Sequence, residues 1–284
     1  MTKLTSGGVD LDDVGPLRSS IDLLDDLPAL RARMDEDGYL FLPGYLDRDE
    51  VLAARAEIMR RLVEGGAALP GGRPAPDLPS RLHTELTRDN APLDHVLYGG
   101  RMVTFYERFL AEPIRHYDFT WLRAVPPGRG TLPHADSVFM NRGTTAALYT
   151  AWTPLGDIDT TLGGLIVLPG SHRLRAVRYD YGTRDVDVTC SNVTEDDPFD
   201  GTISHDPRAL AERLGIRWLT AGFRAGDLLT FTPFTVHASL DNRGEVFRLS
   251  SDSRYQPASL PADERWVGPN PSAHGPASKL AYIC

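Results

Sequence analysis

Lysine is almost missing from this chain: of its 30 basic residues only Lys3 and Lys279 are lysines, and the other 28 are arginines. A high-GC coding bias accounts for that skew without appeal to function. Cysteine is as scarce, with Cys190 and Cys284 alone. Two cysteines make no disulfide framework, and they predict a reducing, cytoplasmic setting. No apolar run approaches the ~20 residues that a membrane span needs. Residues 1–28 are acidic and interrupted by Gly and Pro, unlike a secretory leader. Positive charge is in deficit as well, giving a net charge of −9. That balance argues against a nucleic-acid partner, whose phosphates call for clustered cations. The deficit is local: residues 1–50 carry 12 acidic and 5 basic side chains, so the rest is close to neutral.

What is present is ordinary globular material, 284 residues of which 41% are apolar, and a disordered or collagen-like chain is excluded. Residues 1–20 read as a loose acidic arm. Tyr39–Leu42 is a short apolar strand stopped by Pro43-Gly44. Asp47 is an N-cap with Glu50 at the third helical position, and Val51, Leu52, Ile58, Met59 and Leu62 recur at helical spacing before Gly65-Gly66. Leu69–Ser80 reads as a surface loop, and Leu93–Leu110 as a second helical region. From Tyr117 the texture changes to short apolar or alternating runs ended by turn residues. These are Phe119–Val125, Ala146–Thr153, Leu165–Leu168, Leu228–Phe231 and Val246–Arg254. Strands at this spacing indicate an all-β sandwich or barrel. The polar interval Arg173–Leu214 is long enough to be a functional lid.

Of the eight histidines, His83, His95, His116, His205 and His274 sit among polar neighbours and read as solvated or structural. His172, in a Pro-Gly-Ser-His turn, reads as structural or near the site entrance. His134-Ala135-Asp136 differs, because residues i and i+2 of a strand face the same way and bring imidazole and carboxylate together. A third ligand must come from elsewhere, and His237, 101 residues beyond Asp136, is the candidate. Two histidines and one carboxylate form the facial triad of non-haem Fe(II) oxygenases. Asp241–Gly244 reads as a tight turn between His237 and Arg248. A hairpin centred there would set positions 237 and 248 nearly opposite, about 5 Å apart at Cβ. The guanidinium could then meet the far end of a metal-chelating dicarboxylate. A surface arginine is the competing reading for Arg248.

With these residues in view, the sequence resembles the phytanoyl-CoA dioxygenase family of Fe(II)/2-oxoglutarate-dependent oxygenases. The resemblance runs from Asp37-Gly38-Tyr39-Leu40 to about Tyr255. The family's H-x-D is matched by His134 and Asp136, and its H-x-S-x-x-N by His237, Ser239 and Asn242, with Arg248 at the 2-oxoglutarate arginine. Gly163–His172 resembles the family's strand-and-turn signature. Trp152 matches an aromatic lining the cosubstrate pocket, and Thr131 stands where relatives place a hydroxyl near it. The resemblance implies an N-terminal helical layer, about 21–115, on a double-stranded β-helix (jelly-roll) core, about 117–256, with a lid at 173–214, all one catalytic domain over 21–284. It implies that His134, Asp136 and His237 bind Fe(II) and that Arg248, helped by Ser239 or Thr131, binds 2-oxoglutarate. O₂ and 2-oxoglutarate would then be consumed, releasing succinate and CO₂, while a C–H bond of a small molecule is hydroxylated. Halogenating relatives lack the carboxylate, so Asp136 favours hydroxylation, desaturation, cyclisation or epimerisation. Secondary metabolism is the expected setting, and a monomer or homodimer the expected form. A CoA substrate would draw on Arg81, Arg88, Arg101, Arg115 and Arg123, but arginine is too common here for that to count. The alternatives are a cupin-type metal enzyme that does not use 2-oxoglutarate and a non-catalytic cupin-like binding protein.

Overall fold

The computed structural model describes residues 3–76, 84–189 and 199–275. In chain order the strands are β1 (Leu4–Ser6), β2 (Val9–Leu11), β3 (Val14–Pro16), β4 (Tyr39–Leu42), β5 (Ile114–His116), β6 (Trp121–Val125), β7 (Tyr149–Pro154), β8 (Leu165–Val167), β9 (Trp218–Thr220), β10 (Leu228–Phe231), β11 (His237–Ser239) and β12 (Arg248–Pro257). The α-helices are α1 (Leu27–Asp37), α2 (Arg48–Glu64), α3 (Thr84–Thr87), α4 (Ala91–Tyr98), α5 (Gly100–Leu110), α6 (Val186–Thr189) and α7 (Pro207–Leu214). Among the described residues no helix is long and apolar enough to cross a membrane.

Strands β3 to β12 make the two sheets of a jelly roll, and β1 and β2 pair as a separate hairpin. An antiparallel six-stranded sheet runs β4-β10-β7-β12, with β5 and β6 both on the outer side of β12. A four-stranded sheet runs β11-β8-β9-β3, with β3 parallel to β9. Period-2 alternation divides the larger sheet's side chains between two layers. Leu122, Ala151, Leu228 and Leu249 pack with Leu30, Val51, Ile58, Met102 and Phe105 in the helical layer. Trp152, Leu229 and Phe231 turn the other way, against Leu165 and Val167 of the smaller sheet. The space between the sheets is therefore where Arg248, Asp252 and the other even-numbered residues of β12 also point.

The Asp47 carboxylate accepts from the Asp49 and Glu50 N–H groups and starts α2 as its sequence predicts. Val51, Ala54, Ile58 and Leu62 then form its buried stripe, and each large apolar side chain is worth roughly 1.5–3 kcal/mol on burial. The helical region Leu93–Leu110 is two helices, because the chain is extended at Gly99 (φ −140°) between α4 and α5. Of the expected loop Leu69–Ser80, residues 77–80 lie outside the described residues, as do Arg81, His83, Cys190, Lys279 and Cys284.

The loose arm is a correction. Gly7 (φ +59°) and Gly8 (φ +77°) supply the two positive-φ positions of a tight hairpin turn between β1 and β2. The Asp241 carboxylate accepts both of their N–H groups, at 2.9 and 3.0 Å. Ser6 Oγ donates to the Ser239 carbonyl at 2.8 Å, so residues 4–16 strap the strand that carries His237. In the interval 173–214, residues 190–198 are outside the described set. The rest holds a π-helical turn (Ala176–Tyr181), α6 and α7.

Candidate active site

His134, Asp136 and His237 converge. One ligand atom from each lies within 4.8 Å of the others, and all three residues are buried. Asp136 Oδ1 stands 3.8 Å from each histidine Nε2. The convergence has a different local origin from the strand expected over 134–136. His134 and His237 form an isolated antiparallel bridge, exchanging N–H···O bonds of 3.0 and 2.9 Å. Ala135 is extended, which keeps the i, i+2 alternation, and Asp136 already opens a 3₁₀ turn through Val138.

Each imidazole is oriented from behind. His134 Nδ1 lies 2.8 Å from the Leu132 carbonyl, and His237 Nδ1 lies 3.0 Å from that of Thr235. A carbonyl only accepts, so Nδ1 carries the proton in both rings and Nε2 offers a lone pair to the cluster. Burial lowers the His134 pKa to about 3 and also lowers that of His237, so both rings are neutral at physiological pH. Burial alone would raise Asp136, but the Arg254 charge, the two facing imidazoles and the Thr150 hydroxyl together outweigh it and keep the carboxyl well below its usual range. Two neutral imidazoles and a carboxylate are the donor set that suits Fe(II).

A cavity opens beside this cluster, lined by Thr131, His134, Trp152, His237, Arg248 and Asp252 among others. Arg248 is 1% exposed, and its Nε and Nη1 are buried without a hydrogen-bond partner. Burial, reinforced by the nearby Arg123 and opposed by Asp252, lowers its pKa to about 10. A buried guanidinium with unused donors is an anion site by chemistry. The hairpin expected to place it does not exist. β11 belongs to the smaller sheet and pairs with β8, while Arg248 opens β12 in the larger sheet opposite Val125. His237 and Arg248 meet across the jelly roll, not across a ladder.

The other expected residues divide. Thr131 and the fully buried Trp152 line the cavity. Ser239 Oγ is committed to the Thr131 N–H at 2.8 Å, so it supports Thr131. Asn242 braces the turn: its Nδ2 donates to the Val125 and Val246 carbonyls, and its Oδ1 accepts the Gly244 N–H. His172 Nε2 lies 3.1 Å from the Asp35 carbonyl of α1, outside the cluster.

Sequence reasoning missed the far side of Asp136. There a second cavity is lined by Trp121, Phe139, Met140, Arg254 and His274, together with Asp136 and His134. His274, expected to be an ordinary structural histidine, is 7% exposed, with its ring against Trp266 and its Nδ1 3.4 Å from Asp187. Arg254 Nη2 donates to Asp136 Oδ2 at 3.0 Å, and the guanidinium lies 4.2 Å over the Trp121 ring. A signal for it existed: Arg248, Ser250, Asp252 and Arg254 make a polar row of period 2 on one strand face.

Comparison with known proteins agrees with this geometry. The profile of the phytanoyl-CoA dioxygenase (PhyH) family matches residues 34–250. A 1-deoxypentalenic acid 11-beta-hydroxylase of Streptomyces exfoliatus is 30% identical over 277 residues, covering 90% of each chain. The peroxisomal phytanoyl-CoA dioxygenase of Rattus norvegicus is 25% identical over 237 residues, 78% of this chain and 65% of that one. Among solved structures, the epimerase SnoN, determined with Fe3+, alpha ketoglutarate and nogalamycin RO, superposes with a TM-score of 0.59 at 24% identity, over 88% of this chain and 94% of that one.

Proposed function

Since the chain belongs to the phytanoyl-CoA dioxygenase family of Fe(II)- and 2-oxoglutarate-dependent oxygenases, we propose that it hydroxylates an unactivated C–H bond of a small organic molecule in secondary metabolism. His134, Asp136 and His237 hold the iron, and Arg248 holds the distal carboxylate of 2-oxoglutarate. The observation that carries this reading is the buried, unpartnered Arg248 in a cavity shared with both histidines.

Iron in such a site, with 2-oxoglutarate and O₂, supplies an oxidant strong enough to remove hydrogen from carbon, and succinate and CO₂ are released. The chain's residues do the rest. Arg248 would orient the cosubstrate by pairing with its distal carboxylate, and Trp152 and Thr131 bound the space. Trp121, Phe139 and Met140 offer apolar surface on the Asp136 side, where we place the substrate. A dry wall there keeps the oxidant from water and from the protein's own side chains.

The 30% identical relative is a 1-deoxypentalenic acid 11-beta-hydroxylase. That acid is the first probe. Purified enzyme, Fe(II) and 2-oxoglutarate are incubated with 1-deoxypentalenic acid and a panel of small organic acids, and succinate and product mass are read. Substrate-dependent succinate with gain of one oxygen supports hydroxylation. Loss of two hydrogens identifies desaturation or cyclisation, and unchanged mass identifies epimerisation. Absence of 2-oxoglutarate binding would instead leave a cupin-type metal enzyme that does not use it or a cupin-like binding protein. A cytoplasmic monomer or homodimer is part of the same proposal, and light scattering decides between the two.

A further inference from the structure

Asp136 is held by one oxygen only. Its Oδ2 accepts the Thr150 hydroxyl at 2.5 Å and Arg254 Nη2 at 3.0 Å, while Oδ1 faces the two imidazoles at 3.8 Å each. Thr150 and Arg254 are cross-strand partners on β7 and β12, so the two donors come from one ladder position of the larger sheet. All three residues are at most 2% exposed, and stacking on Trp121 fixes the guanidinium plane. Neither donor belongs to the set read as ligands or cosubstrate anchors.

A free carboxylate can chelate a metal through both oxygens and so occupy one more position than a single-oxygen donor. With both lone pairs of Oδ2 taken up by hydrogen bonds, only Oδ1 has lone pairs to spare. We propose that Arg254 and Thr150 are positioning residues that confine Asp136 to one donor oxygen, keeping the remaining metal positions open for 2-oxoglutarate and O₂. The inference rests on the metal site described under the proposed function. Outer partners of this kind orient a ligand, and losing one typically changes metal-site function about 10–100-fold.

The test uses full-length protein loaded anaerobically with Co(II), as wild type, Arg254→Met, Arg254→Lys and Thr150→Val. Calorimetry gives the affinity for Co(II) and then for 2-oxoglutarate. Infrared difference spectra give the separation of the carboxylate stretches, which narrows when a carboxylate chelates. The expected result is that Arg254→Met retains Co(II) but binds 2-oxoglutarate about 10–100-fold more weakly, with a narrowed separation. Arg254→Lys recovers part of both, and Thr150→Val moves both in the same direction by less. Wild-type 2-oxoglutarate affinity and an unchanged separation in the Co(II)-loaded variants would overturn the proposal, even if their melting temperatures fell. Should Arg254→Met not fold, the near-isosteric Thr150→Val decides on the same two readouts. Failure of the wild type itself to bind Co(II) or 2-oxoglutarate would instead sink the underlying metal-site reading.

Discussion

Replacing Arg248 by Met should make the protein more stable and nearly useless to its cosubstrate. In the folded chain the guanidinium is 1% exposed, with Nε and Nη1 buried and unpartnered. Burial lowers its pKa to about 10 from an ordinary 12.5. At 1.36 kcal/mol per pH unit, that corresponds to roughly 3 kcal/mol against the charged form in the absence of an anion. Methionine removes the charge and fills most of the stem's volume, and the small void left behind offsets about 1 kcal/mol or more of the gain. A net gain of about 1–2 kcal/mol raises the melting temperature of the metal-free protein by roughly 2–6 °C. For 2-oxoglutarate the sign reverses. Two charge-assisted bonds at about 1.5–3 kcal/mol each are lost. At 1.4 kcal/mol per decade this weakens binding by about two to four orders of magnitude. Differential scanning fluorimetry and a 2-oxoglutarate titration read the two effects in one preparation. A fall in melting temperature together with unchanged 2-oxoglutarate affinity would show that Arg248 is a packing residue, and the assignment would be wrong.

Three further expectations follow from the same electrostatics. Asp136→Asn keeps the side-chain shape but leaves Arg254 buried without its counter-charge, so denaturant unfolding of the metal-free protein should show a loss of about 3–5 kcal/mol, along with loss of Fe(II) binding. Burial depresses His134 (to about 3), His172, His237 and His274, whose ordinary value is 6.5. Their contribution to stability is complete above pH 6.5 and is lost as pH falls toward the folded-state values, so the metal-free melting temperature should decline steadily below 6.5; a flat profile down to pH 4 would contradict it. Arg265 is 3% exposed and joins Asp263 (Nη2, 2.5 Å) to Asp187 (Nη1, 2.6 Å), tying the chain around α6 to the C-terminal segment. Arg265→Met should cost about 3–5 kcal/mol and make residues 185–189 an early site of limited proteolysis.

The metal cluster was legible because its residue types are few and its spacing is a backbone property. An extended Ala135 aligns His134 with Asp136 whether or not a full strand forms. Arg248 was found by a wrong route, since a local hairpin was invoked where two sheets meet. Spacing along the chain cannot distinguish a ladder neighbour from a neighbour across the jelly roll. Arg254 was missed because a polar face on a strand is ordinarily solvated: the ten residues of β12 include Arg, Ser, Asp and Gln, yet all ten are buried. In a chain with 28 arginines, no single one announces itself. The hairpin of residues 4–11 did carry a signal, Gly7-Gly8 between two short runs, which the acidic composition masked. The break between α4 and α5 was likewise written in Gly99-Gly100. What no reading of one chain supplies is partnership at a distance, such as Asp241 accepting the N–H groups of that hairpin turn.

The central claim is that His134, Asp136, His237 and Arg248 together bind Fe(II) and 2-oxoglutarate. Adding 2-oxoglutarate to the Fe(II) protein without O₂, and recording the visible spectrum, tests it most directly. The account predicts a metal-to-ligand charge-transfer band that saturates at one 2-oxoglutarate per chain and is absent from Asp136→Asn. Fe(II)-loaded wild-type protein that shows no such band would contradict it.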